Sequence, residues 1–355
     1  MILATKHIQM LWISLWLVVT AIALFTRPLM PIDETRYLSV AWDMWLTKNF
    51  LVPHLNGEIY SHKPPLLFWL INLGWGIFGV NEWWPRIVAP AFGLANLFLT
   101  SKLAHELWPK PSSSWVHLMS PLILFGGFFW VVFTTLTMFD MILTTFSLFG
   151  LIGLVRAWRS DSYFGFIIVG FGIGLGLLTK GPVILLHILP AALLAPFWGK
   201  YLQGNPVGPG LFHWLIGLLI AVFIGATIGL SWAVPASIAG GEAYSNAIFW
   251  DQSAGRMVSS FAHSRQWWWY LTAIPILLLP WVIWPTLWRA FRKIFQNRLL
   301  EEGGIRFCLS CFAPTLIIFS LISGKQLHYL LPEFPLLAIV FARILESENI
   351  NRSVH

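Results

Sequence analysis

The stretch PIDETRY, residues 31–37, sets Asp33 and Glu34 beside Arg36 and Tyr37, a few residues past a long apolar run. A carboxylate in such a place suits proton abstraction from a hydroxyl, and an arginine three residues on suits pairing with it on one helix face. A capped surface helix with one ion pair explains the same residues. IYSHKPP follows, with His62 and Lys63 ahead of two prolines that set an extended approach and then a helix start. An ammonium at that mouth suits a phosphate, or it simply reaches for the interface. TMFDMIL places Asp140 in an apolar region, LTKGP places Lys180 in a Gly-Pro turn, and DQSAGRM places Arg256 in a polar stretch. KQLHYLLPEF spaces Lys325, His328 and Tyr329 at i, i+3 and i+4, then adds Glu333, an acid with no evident partner. Each signal is weak alone. Together they are the acids and cations that would hold an anionic head group and take up a proton.

What must position them is a membrane fold. Of 355 residues, 57% are hydrophobic and 10% charged, where a soluble domain carries about 25% charged residues; the mean hydropathy is +0.72. The chain reads as an all-α polytopic membrane protein. Apolar runs long enough for a bilayer fall at 8–26, 85–107, 115–133, 140–157, 163–179, 182–198, 211–234, 268–288, 305–323 and 327–345, about ten transmembrane helices. The first, too long for a signal peptide core and followed by charge, reads as a retained span. With the N-terminus inside and 64–79 re-entrant or surface-lying, thirteen of the 22 Lys and Arg face the cytoplasm, including the cluster RAFRKIFQNR. Were 64–79 to span, that cluster would face outward. Asp33 to Trp45 then reads as an amphipathic helix on the outer surface, burying Tyr37, Val40, Ala41, Met44 and Trp45. Nine cations remain outside, several at membrane depth, and an anionic ligand would offset their cost. The net charge of +7 sets orientation and implies no nucleic-acid partner. Cys308 and Cys311 read as small residues on one helix face, and the glycines at 170, 172, 174 and 176 as close helix packing.

The order IDETRY, HKPPL, TMFDMIL, LTKGP, Asp-Gln-x(3)-Arg-Met and Lys-x-x-His-Tyr-x-Leu-Pro resembles the membrane glycosyltransferases that take sugars from polyprenyl phosphates. These include aminoarabinose transferases acting on lipid A and dolichyl-phosphate-mannose protein mannosyltransferases. The resemblance spans roughly residues 10–340. It implies a GT-C-type helical bundle with catalysis on the periplasmic or luminal side, in a bacterial inner membrane. By motif, Asp33 is similar to the family's active-site acid and Asp140 to its second acid. Lys63 and Arg256 resemble the holders of the lipid phosphate. Lys180 and Lys325 are expected beside them, and Glu34, Arg36, Tyr37, His62, His328 and Tyr329 as cavity lining.

The expected reaction moves a sugar from a polyprenyl-phosphate donor to a lipid, glycan or protein acceptor, with inversion at the sugar carbon and Asp33 taking the acceptor's proton. No cofactor is required, and no nucleotide-binding signature occurs; a divalent cation could bridge Asp33 and Asp140. A single domain is expected over 1–346, with outer catalytic loops 27–84 and 235–267, a short cytoplasmic tail at 347–355 and no soluble C-terminal domain. The rival readings are a lipid or ion carrier with an outward head-group site, and an inactive partner subunit of another transferase.

Overall fold

With no water in the bilayer core to satisfy backbone amides, an apolar chain must close its hydrogen bonds within helices. The computed structural model accordingly has a helical body. It describes residues 2–109, 114–160, 162–202, 207–250, 264–292, 294–295 and 298–354. The first half comprises α1 (Ile2–Thr26), α2 (Asp33–Thr47), a two-stranded hairpin, α3 (Leu66–Phe78), α4 (Trp83–Leu107), α5 (Ser114–Phe125), α6 (Phe128–Thr135), α7 (Asp140–Arg159) and α8 (Phe164–Lys180). There follow α9 (Ile184–Leu193), α10 (Ala195–Trp198), α11 (Leu211–Asn246), α12 (Trp269–Leu277), α13 (Pro285–Arg292), α14 (Gly303–Leu321) and α15 (Phe334–Val354), the last preceded by a 3-10 helix, Leu327–Glu333.

Among the described residues, six helical runs are long and apolar enough to cross a membrane, and α5 with α6 would make a seventh were it not bent by 70°. The expected count of about ten spans is not reached by that measure, which takes each unbroken or gently bent run as one. The stretch 268–288 breaks into α12, a 3-10 turn and α13. Pro275, Pro280 and Pro285 each remove an amide donor there. The run from Phe164 to Leu193 reverses at Gly181, whose φ of 73° favours glycine. That reversal lays Ile184 against Gly176, so Lys180 sits at a hairpin turn, as its Gly-Pro context suggests. The stretch 327–345 begins as the 3-10 helix, not as part of α15. α3 has 13 residues, about 20 Å at 1.5 Å per residue, too short to span.

α7 is the central post: 83% of its apolar window is buried, against 6% for α1, whose apolar surface is left exposed. α7 and α8 meet backbone to backbone. A Cβ on Gly165 would lie 2.4 Å from the Ala157 nitrogen, and one on Gly172 would lie 2.8 Å from the Phe146 carbonyl oxygen. Gly170 and Gly174 instead make room for the Ile224 and Ile228 side chains of α11. α4 is fixed to α7 by Asn96, whose Nδ2 donates to the Met141 carbonyl (3.0 Å) while its Oδ1 accepts from Thr145 (2.7 Å).

At the far end of α7, Glu106 gathers Lys102, Arg156 and Arg159. Glu302 accepts from Arg343 and from the Trp108 indole. A cavity of about 350 Å³ also opens there, lined by Trp108, Tyr201, Arg298, Glu301 and Glu302. The residues with chemistry gather at the opposite end, where α7 begins and α8 ends.

Candidate active site

α2 buries Glu34, Tyr37, Val40, Ala41 and Met44, and Trp45 is half-buried. The adjacent acids therefore part company. Asp33 stays 44% exposed and its Oδ1 accepts from the Arg36 guanidinium and, at 3.3 Å, from the Tyr37 hydroxyl. Burial first, then the neighbouring Asp33 charge, pushes the Tyr37 phenol far above its usual range, so it remains a donor. Glu34 is turned inward and is 1% exposed. Its carboxylate takes both guanidinium nitrogens of Arg27, the Met30 amide (2.7 Å) and the Thr137 amide (2.7 Å). Burial would raise its pKa, but Arg27 and the two amides outweigh that and hold it below the ordinary carboxylate value. Glu34, expected as cavity lining, is instead a fastener between the end of α1, the start of α2 and the loop before α7.

Lys63 follows a tight hairpin in which His54 faces Ile59 and Leu55 faces Glu58. Asn56 and Gly57 form its turn with φ of 55° and 85°, the signs a type I′ turn needs. The Gly57 amide donates to Asp43 of α2 at 3.0 Å, which ties the hairpin down. Lys63 Nζ lies 5.9 Å from the centre of the Phe139 ring, against which Tyr37 packs edge-on at 5.0 Å. Lys63 and the His328 ring both lie near Asp140. His62 is exposed, with its ring 5.3 Å from that of Tyr60.

Asp140 is the first residue of α7 and Lys180 the last of α8. Each stands where the helix dipole favours its charge. They pair at 2.6 Å with 2% and 8% exposure. Lys180 Nζ also sits 4.7 Å from the Tyr329 ring centre, and the rings of His328 and Tyr329 meet edge-on at 4.9 Å. Asp33, Arg36, Tyr37, Lys63, Asp140, Lys180, His328 and Tyr329 thus gather at one end of the bundle, graded from exposed Asp33 to buried Asp140.

Lys325, expected at the phosphate, is placed otherwise. It is 3% exposed and its Nζ donates to the carbonyls of Arg265 (2.8 Å) and Ile322 (2.5 Å). With the Ser264–Gly324 bridge it anchors the chain where it returns to the bundle. Arg256 lies outside the described residues. Several outer cations are matched within the protein. Arg27 meets Glu34, Lys48 stacks on Trp45 at 3.8 Å, and Arg86 donates to the Ala23 and Arg27 carbonyls at the end of α1. These three cations are therefore offset within the protein. Asp33 and Asp140 are each paired with a cation, and no group of three His, Cys, Asp or Glu among the described residues is set to hold a metal. Sequence reasoning missed the Arg27–Glu34 staple and a buried pair, His187–Glu333, at 2.9 Å. An arginine directly after the first apolar run was the available signal for the former.

Comparison with known proteins finds similar sequences and similar folds. Residues 62–232 match the family described as dolichyl-phosphate-mannose-protein mannosyltransferase. An undecaprenyl phosphate-alpha-4-amino-4-deoxy-L-arabinose arabinosyl transferase 2 of Pseudomonas fluorescens (strain Pf0-1) is 27% identical over 328 residues, covering 88% of this chain and 55% of its own length. Its counterpart in Enterobacter sp. (strain 638) is 28% identical over 326 residues, with 89% and 55% covered. The chain thus spans about half the length of the curated relatives it matches. ArnT from Cupriavidus metallidurans bound to undecaprenyl phosphate superposes with a TM-score of 0.77 at 22% identity, covering 94% of this chain and 59% of that one. The archaeal oligosaccharyltransferase AglB from Archaeoglobus fulgidus follows at 0.59 and 12% identity, covering 96% and 50%. The chain shares the helical fold of ArnT from Cupriavidus metallidurans, and in sequence it is similar to the undecaprenyl phosphate-aminoarabinose transferases over about half of their length.

Proposed function

We propose that the protein moves a sugar from a polyprenyl-phosphate donor to a lipid, glycan or protein acceptor on the outer face of a bacterial inner membrane. The relatives' names point to a donor of the undecaprenyl phosphate-aminoarabinose kind. The observation that carries the reading is the half-exposed Asp33, held by Arg36 and Tyr37 beside the buried Asp140–Lys180 pair with Lys63 alongside.

In this reading the acceptor hydroxyl meets Asp33. Both protein contacts fall on its Oδ1, which leaves Oδ2 to take the proton. The acceptor oxygen bonds to the sugar carbon as the bond from that carbon to the phosphate oxygen breaks, in one inverting displacement. Negative charge grows on the departing phosphate, where fixed cations stabilise the transition state more than the ground state. Lys63 and, by resemblance, Arg256 supply them. Lys180, neutralised by Asp140 when the site is at rest, orients rather than attracts. No step runs through a metal.

The test is the purified protein in liposomes with labelled undecaprenyl phosphate-4-amino-4-deoxy-L-arabinose and candidate acceptors. Release of undecaprenyl phosphate that depends on Asp33 supports the reading. Movement of the labelled lipid between leaflets without any bond cleavage refutes it in favour of a carrier.

A further inference from the structure

His328 and Tyr329 ride on a 3-10 helix of seven residues with Pro332 inside it. Such helices seldom exceed three or four residues, because their hydrogen bonds are poorly aligned. This one is secured at both ends by buried polar side chains. At its start, Lys325 holds the Arg265 and Ile322 carbonyls. At its end, Glu333 Oε1 meets His187 Nδ1 at 2.9 Å, each side chain 1% exposed. His187 stands near the start of α9, just past the reversal that follows Lys180. The pair therefore joins the two segments that carry Lys180 and Tyr329. Phe319 lies between them, its ring 5.6 Å from His187 and 5.9 Å from Tyr329.

The other atoms of the pair, His187 Nε2 and Glu333 Oε2, are buried without hydrogen-bond partners. As a source of stability this is a poor choice, since well-packed apolar residues often replace buried polar pairs without loss. What a directional bond adds is register. We infer that His187 and Glu333 are positioning residues, which hold the 3-10 helix in the one phase that sets Tyr329 and His328 against the Asp140–Lys180 pair. For its effect on turnover the inference rests on the proposed function; for its effect on register it does not.

The experiment replaces both residues with apolar ones of similar size, His187→Phe with Glu333→Leu, in protein held in lipid nanodiscs. A wild-type melting temperature is expected, with amide exchange across residues 327–331 faster by roughly tenfold and no change in α4. Turnover of undecaprenyl phosphate-4-amino-4-deoxy-L-arabinose should fall by roughly ten- to a hundredfold, mainly in kcat, as a small misplacement does. Glu333→Gln, which keeps the shape and a hydrogen bond to Nδ1, should restore both readouts and serves if the double variant does not fold. Wild-type exchange in the double variant overturns the inference, as does faster exchange with unchanged kcat and KM. If the wild-type protein does not cleave the donor, the functional reading falls, while the exchange result still decides the register.

Discussion

Exchanging Glu34 for glutamine tests the division of labour between the two adjacent acids. The Glu34 carboxylate accepts four hydrogen bonds, two from Arg27 and one each from the Met30 and Thr137 amides. A glutamine turns one acceptor oxygen into a donor, so two of the four contacts become donor against donor, and Arg27 loses its counter-charge. Removing one partner of a fully buried pair costs about 3–5 kcal/mol. Arg27 keeps 20% exposure, so water recovers part of that and about 3 kcal/mol is the expected loss. Asp33→Asn should behave in the opposite way. Its pair with Arg36 is 44% and 30% exposed, a class worth about 0–1 kcal/mol, but an amide cannot take a proton, so transfer should fall by about 10²–10⁴-fold. The assay is thermal unfolding in detergent beside donor turnover per folded molecule. Glu34→Gln with wild-type melting and no turnover would refute the reasoning, and so would Asp33→Asn with normal turnover. The pH dependence follows from the same contacts. Because Glu34 has a depressed pKa, its stabilisation is complete above the ordinary value of 4.5 and fades as pH falls through the lower folded value. Wild-type protein should lose melting temperature across that interval, and Glu34→Gln should lose less.

Lys63→Ala should slow turnover by roughly a hundredfold to a thousandfold, as loss of an oxyanion donor does, with unchanged melting; equal turnover would remove Lys63 from the phosphate site. Asp140→Leu alone leaves a buried ammonium and should cost about 3–5 kcal/mol, whereas Asp140→Leu with Lys180→Met should refold without regaining transfer. Recovery of both by the double variant would show that the pair is dispensable to the chemistry. Cysteines at Glu58 and Glu301, both exposed, should react with an impermeant thiol reagent from outside only at position 58. Labelling of position 301 alone from outside would invert the topology.

Helical periodicity was enough to place the buried face of α2, because Tyr37, Val40, Ala41 and Met44 recur at its spacing. The Asn56-Gly57 turn was legible too, yet short strands are easily passed over in a chain read for spans. The expected continuous stretches differ from the structure where apolar composition and proline disagree. Hydropathy does not register a missing amide, so 268–288 looks continuous until its prolines are weighed. The long-range polar partners were not legible at all. Glu34 and Thr137 are 103 residues apart, and His187 and Glu333 are 146 apart. Nothing local distinguishes such an acid from one that meets solvent, so Glu34 was read as lining and Glu333 stayed unexplained.

The glycine seam between α7 and α8 makes those two helices a ruler. Most helix pairs touch through side chains, which can repack around a substitution and absorb it. Here Gly153, Gly165 and Gly172 let backbone meet backbone, with little compliant side chain between. An added carbon there meets backbone of the facing helix, and the same two helices carry Asp140 and Lys180. Substitutions on the exposed surface of α1 should be tolerated far better than along this line. An engineer seeking a new sugar or acceptor should alter α2 and the hairpin, which are hung on the bundle by side chains, and leave the ruler uncut.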